Sequence, residues 1–442
     1  MKFKILAMVK NHFVRCKNRY VNIVLATFFT VLSLEILSFA SIKLVLEKNK
    51  PVNSFLDNMR CSYLDMLIPH PYLGYVYGPR ASCKFPKEFL YNQEGFLGAE
   101  MPAKKSTEDF YILLTGGSVA NMLSGAVMGS DHIVGVEGRN FLEDRLNKCY
   151  LPQKGFKKFI VLNVAVGAWK QPQQAVASML FGDRVNAIVT LDGYNEYFSF
   201  NDPYTGFELP ANYFGYLMKL RLTGNKGAEI LINVISALTN WHYNNPILKH
   251  SQSLKALMIV FNKITNASIN PNVNPQRSDV KVSYAGQFGF SPNLAKEKRE
   301  DHNILQYLKY LKVINSLGNL YEAKTAFFYQ PVSLLHKPLT EEEKNIVLKY
   351  VPNPRYMDKY SEIEKKFLAL KKDGLDVYSL TKIYQNTKET VYSDTVHAKV
   401  EVENDGTYKS LGYSIMSQEI SAKLAKKWHF ISKHNPECGS YE

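Results

Sequence analysis

Four short polar islands occur along the chain in a fixed order: Gly116-Gly117-Ser118, Gly167, Gly193-Tyr194-Asn195 and Asp394-Thr395-Val396-His397. They supply a hydroxyl nucleophile, amides able to donate to a developing oxyanion, and an imidazole with a carboxylate close by in sequence. Acyl transfer at an ester needs those groups. An aspartate three residues before a histidine can reach the ring, fix its tautomer and stabilise the imidazolium formed when the ring takes a serine proton. Of the ten histidines, only His397 has an aspartate at that distance. An asparagine side-chain amide such as that of Asn195 can donate to an oxyanion, and one such donor is commonly worth about 3 kcal/mol of transition-state stabilisation.

These side chains are useful only where the backbone presents them. Residues 110–114, 159–164 and 187–191 are short apolar runs rich in aromatic and branched side chains, which read as buried parallel strands. The first island follows the first run, where two glycines allow a sharp turn and residues 119–123 can open a helix with its amides towards Ser118. Gly167 lies just past the second run, where a glycine N–H can approach a substrate with no side chain in the way. Asn195 lies just past the third. Open α/β sheets place their ligand crevice at the carboxyl ends of such strands. Further along, 302–317 reads as a helix, 325–329 as a strand, 376–380 as the last core strand before His397, and 408–427 as a closing helix. Residues 337–350 and 361–372 read as surface helices with solvated Lys and Glu faces.

With these blocks in this order the sequence resembles the SGNH hydrolase family, the GDSL-like esterases. The resemblance covers the chain from about residue 110 to the closing helix. It implies a three-layer, flavodoxin-like α/β fold with a parallel sheet, interrupted here by a helical insertion at about 201–299. It further implies Ser118 as nucleophile, His397 as general base, Asp394 as its partner, and an oxyanion hole made by the amides of Ser118 and Gly167 and the side chain of Asn195. Two departures stand out. The first block reads Gly-Gly-Ser where the family name expects Gly-Asp-Ser, a variant associated with membrane-linked members, and the second, Asn163-Val164-Ala165-Val166-Gly167, is one residue short. The α/β-hydrolase elbow is the competing arrangement, since Gly116-x-Ser118-x-Ala120 is one substitution from Gly-x-Ser-x-Gly. Against it, Ser118 follows what reads as the domain's first strand and Asp394 sits beside His397 rather than on a separate loop. Segments 69–75 and 92–98 are similar to those that precede the serine block in anchored members, which makes His70 a structural residue of that entry segment.

The first 19 residues carry Lys2, Lys4, Lys10, Arg15, Lys17 and Arg19 and no acid, and 20–42 is then almost wholly apolar apart from Glu35. That run meets the roughly 20 residues a membrane helix requires. It is longer than an ordinary signal-peptide core and lacks a clear cleavage site. The chain is therefore expected to have a cytoplasmic basic tail (1–19), a transmembrane signal anchor (20–42), an extracytoplasmic entry segment (43–108), a catalytic domain (109–430) and a short tail (431–442). Glu35 in the span would be neutral or paired with another helix. The basic excess before the span places the N-terminus in the cytoplasm and the catalytic domain in the periplasm or another extracytoplasmic space.

The formal charge is +14, and the basic tail accounts for six of it. No basic stripe with a nucleic-acid motif accompanies the rest, so no nucleic-acid partner is expected. Cys61 and Cys83 are the expected disulfide among the exported cysteines, with Cys149 and Cys438 isolated. No cofactor or metal is expected, since no Cys or His set has zinc spacing. The insertion has helical spacing at 216–222 and 230–241 and reads equally as a lid or as a helical layer on the sheet. The expected activity is hydrolysis of O-acyl groups, foremost O-acetyl, on a cell-envelope or exported glycan or lipid. Two alternatives stay open: an O-acyltransferase fed by a multispan acyl-donor protein, and a non-catalytic envelope assembly component.

Overall fold

The computed structural model describes residues 29–30, 32–38, 67–78, 92–124, 127–128, 133–134, 140–153, 155–198, 251–254, 257, 296–347, 355–402 and 408–438. The chain divides into two compact units, Met1–Arg60 with Met218–Arg277, and Cys61–Leu217 with Ser278–Glu442. In the first unit, residues 32–38 are helical, and Glu35 accepts hydrogen bonds from the Ser251 hydroxyl and from the backbone N–H of Gln252 (2.6 Å) and Ser253 (3.3 Å). The carboxylate thus caps the start of a second helical segment. The basic tail, most of the expected span and almost all of 201–299, with the question of a lid, lie outside the described residues. Among the described residues no helix is long and apolar enough to cross a membrane.

The second unit is built on a five-stranded, wholly parallel sheet. It is preceded by an antiparallel hairpin of β1 (Leu67–His70) and β2 (Gly74–Tyr77), in which the Nδ1 of His70 accepts the N–H of Tyr72 and Leu73. His70 closes a turn, as a structural residue should. The sheet strands are β3 (Asp109–Gly116), β4 (Lys158–Ala165), β5 (Ala187–Asp192), β6 (Lys324–Tyr329) and β7 (Val377–Ser379), in the spatial order β7-β6-β5-β3-β4. Ile112, Leu113, Leu114, Ile188 and Val189 are fully buried, which is why these strands read as continuous apolar runs without alternation.

The chain leaves β3 in one direction to reach β4 and returns past it to β5. Right-handed crossovers then put the intervening helices, α2 (Phe141–Cys149) and α3 (Gln173–Phe181), on opposite faces. α2 packs against the closing helix α8 (Leu411–Trp428), and α3 against α5 (Lys296–Leu320), completing two helical layers. The remaining helices are α1 (Ser118–Leu123), α4 (Tyr194–Phe198), α6 (Glu341–Val347) and α7 (Arg355–Ala369). The topological switch point falls between β3 and β5, where a doubly wound sheet opens its crevice. The register holds Gly116 level with Ala165 on one side and Leu191 on the other, so the three islands leave the sheet at one height.

Two sequence expectations need correction. Cys149 is bonded to Cys438, with the Cα atoms 5.4 Å apart and a sequence separation of 289. Residues 150–151 pair antiparallel with 431–432, and Arg145 donates to the carbonyls of Glu437 and Cys438, which returns the C-terminal segment to the end of α2. Sequence spacing carries no trace of that return. Cys61 and Cys83 lie outside the described residues. The segment around 337–347 is also not a wholly solvated face: the side chains of Lys337 and Glu343 are 1% and 0% exposed and form an ion pair at 2.7 Å. Helix α6 starts only at Glu341, and the turn before it folds Lys337 inward.

Candidate active site

β3 ends in the turn Gly116-Gly117, and Ser118 opens α1. Neither glycine can be replaced without displacing a neighbour. A Cβ on Gly116 would lie 2.2 Å from the Leu191 carbonyl oxygen, and one on Gly117 would lie 2.2 Å from the side-chain Nδ2 of Asn195. The Gly-Gly spelling of the first island therefore follows from how closely the third island approaches it. Ser118 is half-buried, and its N–H stands in the first turn of a helix, where amides have no intrahelical partner.

His397 reaches the serine from a loop that folds back on itself. Lys399 N–H donates to the Val391 carbonyl (2.6 Å), Tyr392 bridges to Ala398, and Ser393 N–H donates to the His397 carbonyl (2.9 Å). Inside this loop Asp394 divides its two oxygens. Oδ1 accepts the N–H of Val396 and of His397, both at 2.8 Å, in an Asx-type turn. Oδ2 lies 2.6 Å from His397 Nδ1, and His397 Nε2 lies 2.7 Å from Ser118 Oγ. With Nδ1 protonated and donating to the carboxylate, Nε2 is the free lone pair that accepts the serine O–H. Burial works to raise the Asp394 pKa, but the His397 ring and the two backbone N–H groups outweigh it and hold the carboxyl below its ordinary range. Asp394 is ionised at neutral pH.

The remaining islands converge on the same place. Asn195, at the start of α4, donates Nδ2–H to the Trp169 carbonyl (2.7 Å), which orients the amide and leaves its second N–H to donate elsewhere. Trp169 belongs to the turn after β4 that carries Gly167, and its carbonyl oxygen lies 3.2 Å from where a Gly117 Cβ would sit. The Gly167 carbonyl accepts from Tyr75 Oη (2.9 Å), while Trp169 Nε1 donates to the Tyr75 carbonyl (3.2 Å). The entry hairpin thus holds the turn from behind. All five residues expected at the site, Ser118, Gly167, Asn195, Asp394 and His397, are at the carboxyl edge of the sheet.

Several contributors carry no motif of their own. Tyr194 Oη and Thr395 Oγ1 are 3.1 Å apart and link the third island to the fourth. Beneath Asn195, Glu196 accepts the N–H of Gly193 (2.9 Å) and of Gln171 (3.1 Å), tying the turns after β5 and β4 together. Asp192 beside it accepts from Tyr307 Oη at 2.6 Å. Burial pushes both carboxyls up, Asp192 further because Glu196 repels its charge. At Glu196 the backbone N–H groups of Gly193 and Gln171 work against that rise. Acidic residues next to Asn195 were visible in the sequence, but nothing in their spacing distinguished a buried pair from a turn. Among the described residues no group of three or more His, Cys, Asp or Glu side chains could hold a metal ion. Compared with known proteins, the chain matches no family model and no curated protein, so the functional reading stands on the site's own geometry.

Proposed function

We propose that this protein is a serine-dependent ester hydrolase of the SGNH type, acting on O-acyl groups, foremost O-acetyl, of a cell-envelope or exported glycan or lipid. The observation that carries the proposal is the unbroken chain from Ser118 Oγ through His397 to Asp394, with links of 2.7 and 2.6 Å. A structural serine has no need of an imidazole whose other nitrogen is fixed by an ionised carboxylate.

In the mechanism, His397 Nε2 takes the Ser118 proton as Oγ attacks the ester carbonyl carbon. The carbonyl oxygen becomes an oxyanion, held by the amides of Ser118 and Gly167 and the free N–H of Asn195. Collapse breaks the bond to the leaving alcohol, which receives the proton from His397, and an acyl-serine remains. Water, deprotonated by His397, then releases the acid and regenerates Ser118. A sugar hydroxyl in place of water would give acyl transfer by the same steps.

The extracytoplasmic setting rests on separate support. A disulfide such as Cys149–Cys438 is a feature of oxidising compartments. The apolar run at 20–42, preceded by a wholly basic tail, suits a signal anchor with the catalytic unit outside. The direct test is para-nitrophenyl acetate turnover by the full chain in detergent. Ser118→Ala is expected to lower kcat about a thousandfold or more. Equal rates from both proteins would remove the hydrolase reading and favour a non-catalytic scaffold.

A further inference from the structure

The backbone of the loop that presents Asp394 and His397 is anchored at its base by the Glu343 carboxylate, while the exposed Glu342 beside it takes the side chains of Thr390 and Lys399. Glu343, in the first turn of α6, accepts at Oε1 the N–H of Val391 (2.8 Å) and of Tyr392 (2.9 Å), the two residues at which the loop begins. At Oε2 it accepts the N–H of Thr340 (2.8 Å) and the ammonium of Lys337 (2.7 Å). Thr340 Oγ1 in turn accepts the Glu343 N–H (3.3 Å), which completes a capping box for α6. The Lys337 ammonium also donates to the Pro338 carbonyl at 3.0 Å. Burying an ion pair is costly unless the remaining lone pairs are satisfied, and here each carboxylate oxygen has two donors. A helix cap needs only one of those oxygens. The other is spent wholly on the catalytic loop.

We propose that Glu343, held by Lys337, is a positioning residue for His397, an inference that rests on Ser118, Asp394 and His397 being the catalytic set. The anchored residues, Val391 and Tyr392, are the ones whose backbones bridge to Lys399 and Ala398 across the base of the loop. Loss of the anchor releases both strands of that base. The Asp394–His397 contact lies within the loop and survives as a local Asx turn, whereas the reach from His397 Nε2 to Ser118 crosses between elements and does not.

The test compares two double variants of the full chain in detergent. Lys337→Met with Glu343→Gln removes the charges and leaves a carbonyl oxygen able to accept from Val391 and Tyr392. Lys337→Met with Glu343→Met fills the same space and leaves both N–H groups unpaired. The glutamine pair is expected to keep kcat for para-nitrophenyl acetate within a few-fold of wild type. The methionine pair is expected to lose about tenfold to a hundredfold in kcat with KM little changed, the size of loss that slight misplacement of a reacting group produces. Glu343→Asp, which keeps the charge but shortens the reach, serves if the methionine pair does not fold, and the same loss is expected.

An independent readout needs no turnover: the chemical shift of the low-field proton on His397 Nδ1. Wild type and the glutamine pair should share one shift, because Ser118 Oγ faces Nε2 in both. The methionine pair should show the shift of Ser118→Ala, which lacks that contact. Equal kcat and equal chemical shift in all three proteins, whatever their melting temperatures, would overturn the proposal and leave Glu343 a helix cap. If wild type hydrolyses no ester, the hydrolase reading fails, and the resonance alone decides whether Glu343 holds the loop.

Discussion

Ser118 is unreactive unless its proton has somewhere to go, and the separation of tasks at Asp394 decides this. One oxygen shapes the loop through two backbone N–H groups, and the other faces the ring at 2.6 Å. The loop's own turn therefore aims the His397 ring. On the opposite side, Asn195 is kept in place by the Trp169 carbonyl and by the empty space at Gly117. This makes Gly117 a sensitive position although it carries no functional group. In Gly117→Ala the new methyl meets Nδ2 at 2.2 Å and the amide must swing away. Removal of one oxyanion donor costs about 10²–10³ in kcat, so with Asn195 in the donor role proposed for it, partial displacement in Gly117→Ala is expected to cost about tenfold to a hundredfold. Steady-state kinetics beside a circular-dichroism melt checks this, since an unchanged kcat would mean that Asn195 does not depend on that gap.

At the scale of elements, the sequence carried most of what places the site. The strands at 110–114, 159–164 and 187–191 are legible because a parallel strand buried on both faces must be apolar throughout. Their observed bounds extend only a little further, Asp109–Gly116, Lys158–Ala165 and Ala187–Asp192. The helix after Ser118 and the strand at Lys324–Tyr329 also stand where expected, and the closing helix starts at Leu411 under a Ser410 cap. What could not be read depends on contacts between distant segments. Lys337 and Glu343 look like any pair in a charged, helical stretch, and only the folded chain shows that Glu343 meets Val391 and Tyr392. Tyr75 and Trp169 are likewise ordinary aromatics until the hairpin lies against the turn that carries Gly167. Such roles have no local period or spacing to betray them.

For the molecule as a whole, the sheet supplies one edge at which four separated islands meet, and the disulfide secures the C-terminal segment beyond the closing helix. Cys149 ends α2, which packs against α8, so the bond to Cys438 returns the chain to a helix it already touches. A cross-link over 289 residues constrains the unfolded chain strongly. Cys149→Ser with Cys438→Ser is expected to lose about 2–4 kcal/mol of stability while retaining kcat, measured by denaturant unfolding of the two proteins. A large loss of kcat in the folded variant would contradict the separation of staple and site.

The most direct test of the account is covalent capture of the nucleophile. Full-length protein is treated with a fluorophosphonate at neutral pH, digested and mapped by mass spectrometry. A single adduct on Ser118 is expected, lost in Ser118→Ala and formed at least about a hundredfold more slowly in His397→Ala. An unmodified Ser118 in the folded wild-type protein, or an equal rate of labelling without His397, would contradict the claim that these residues form an activated nucleophile.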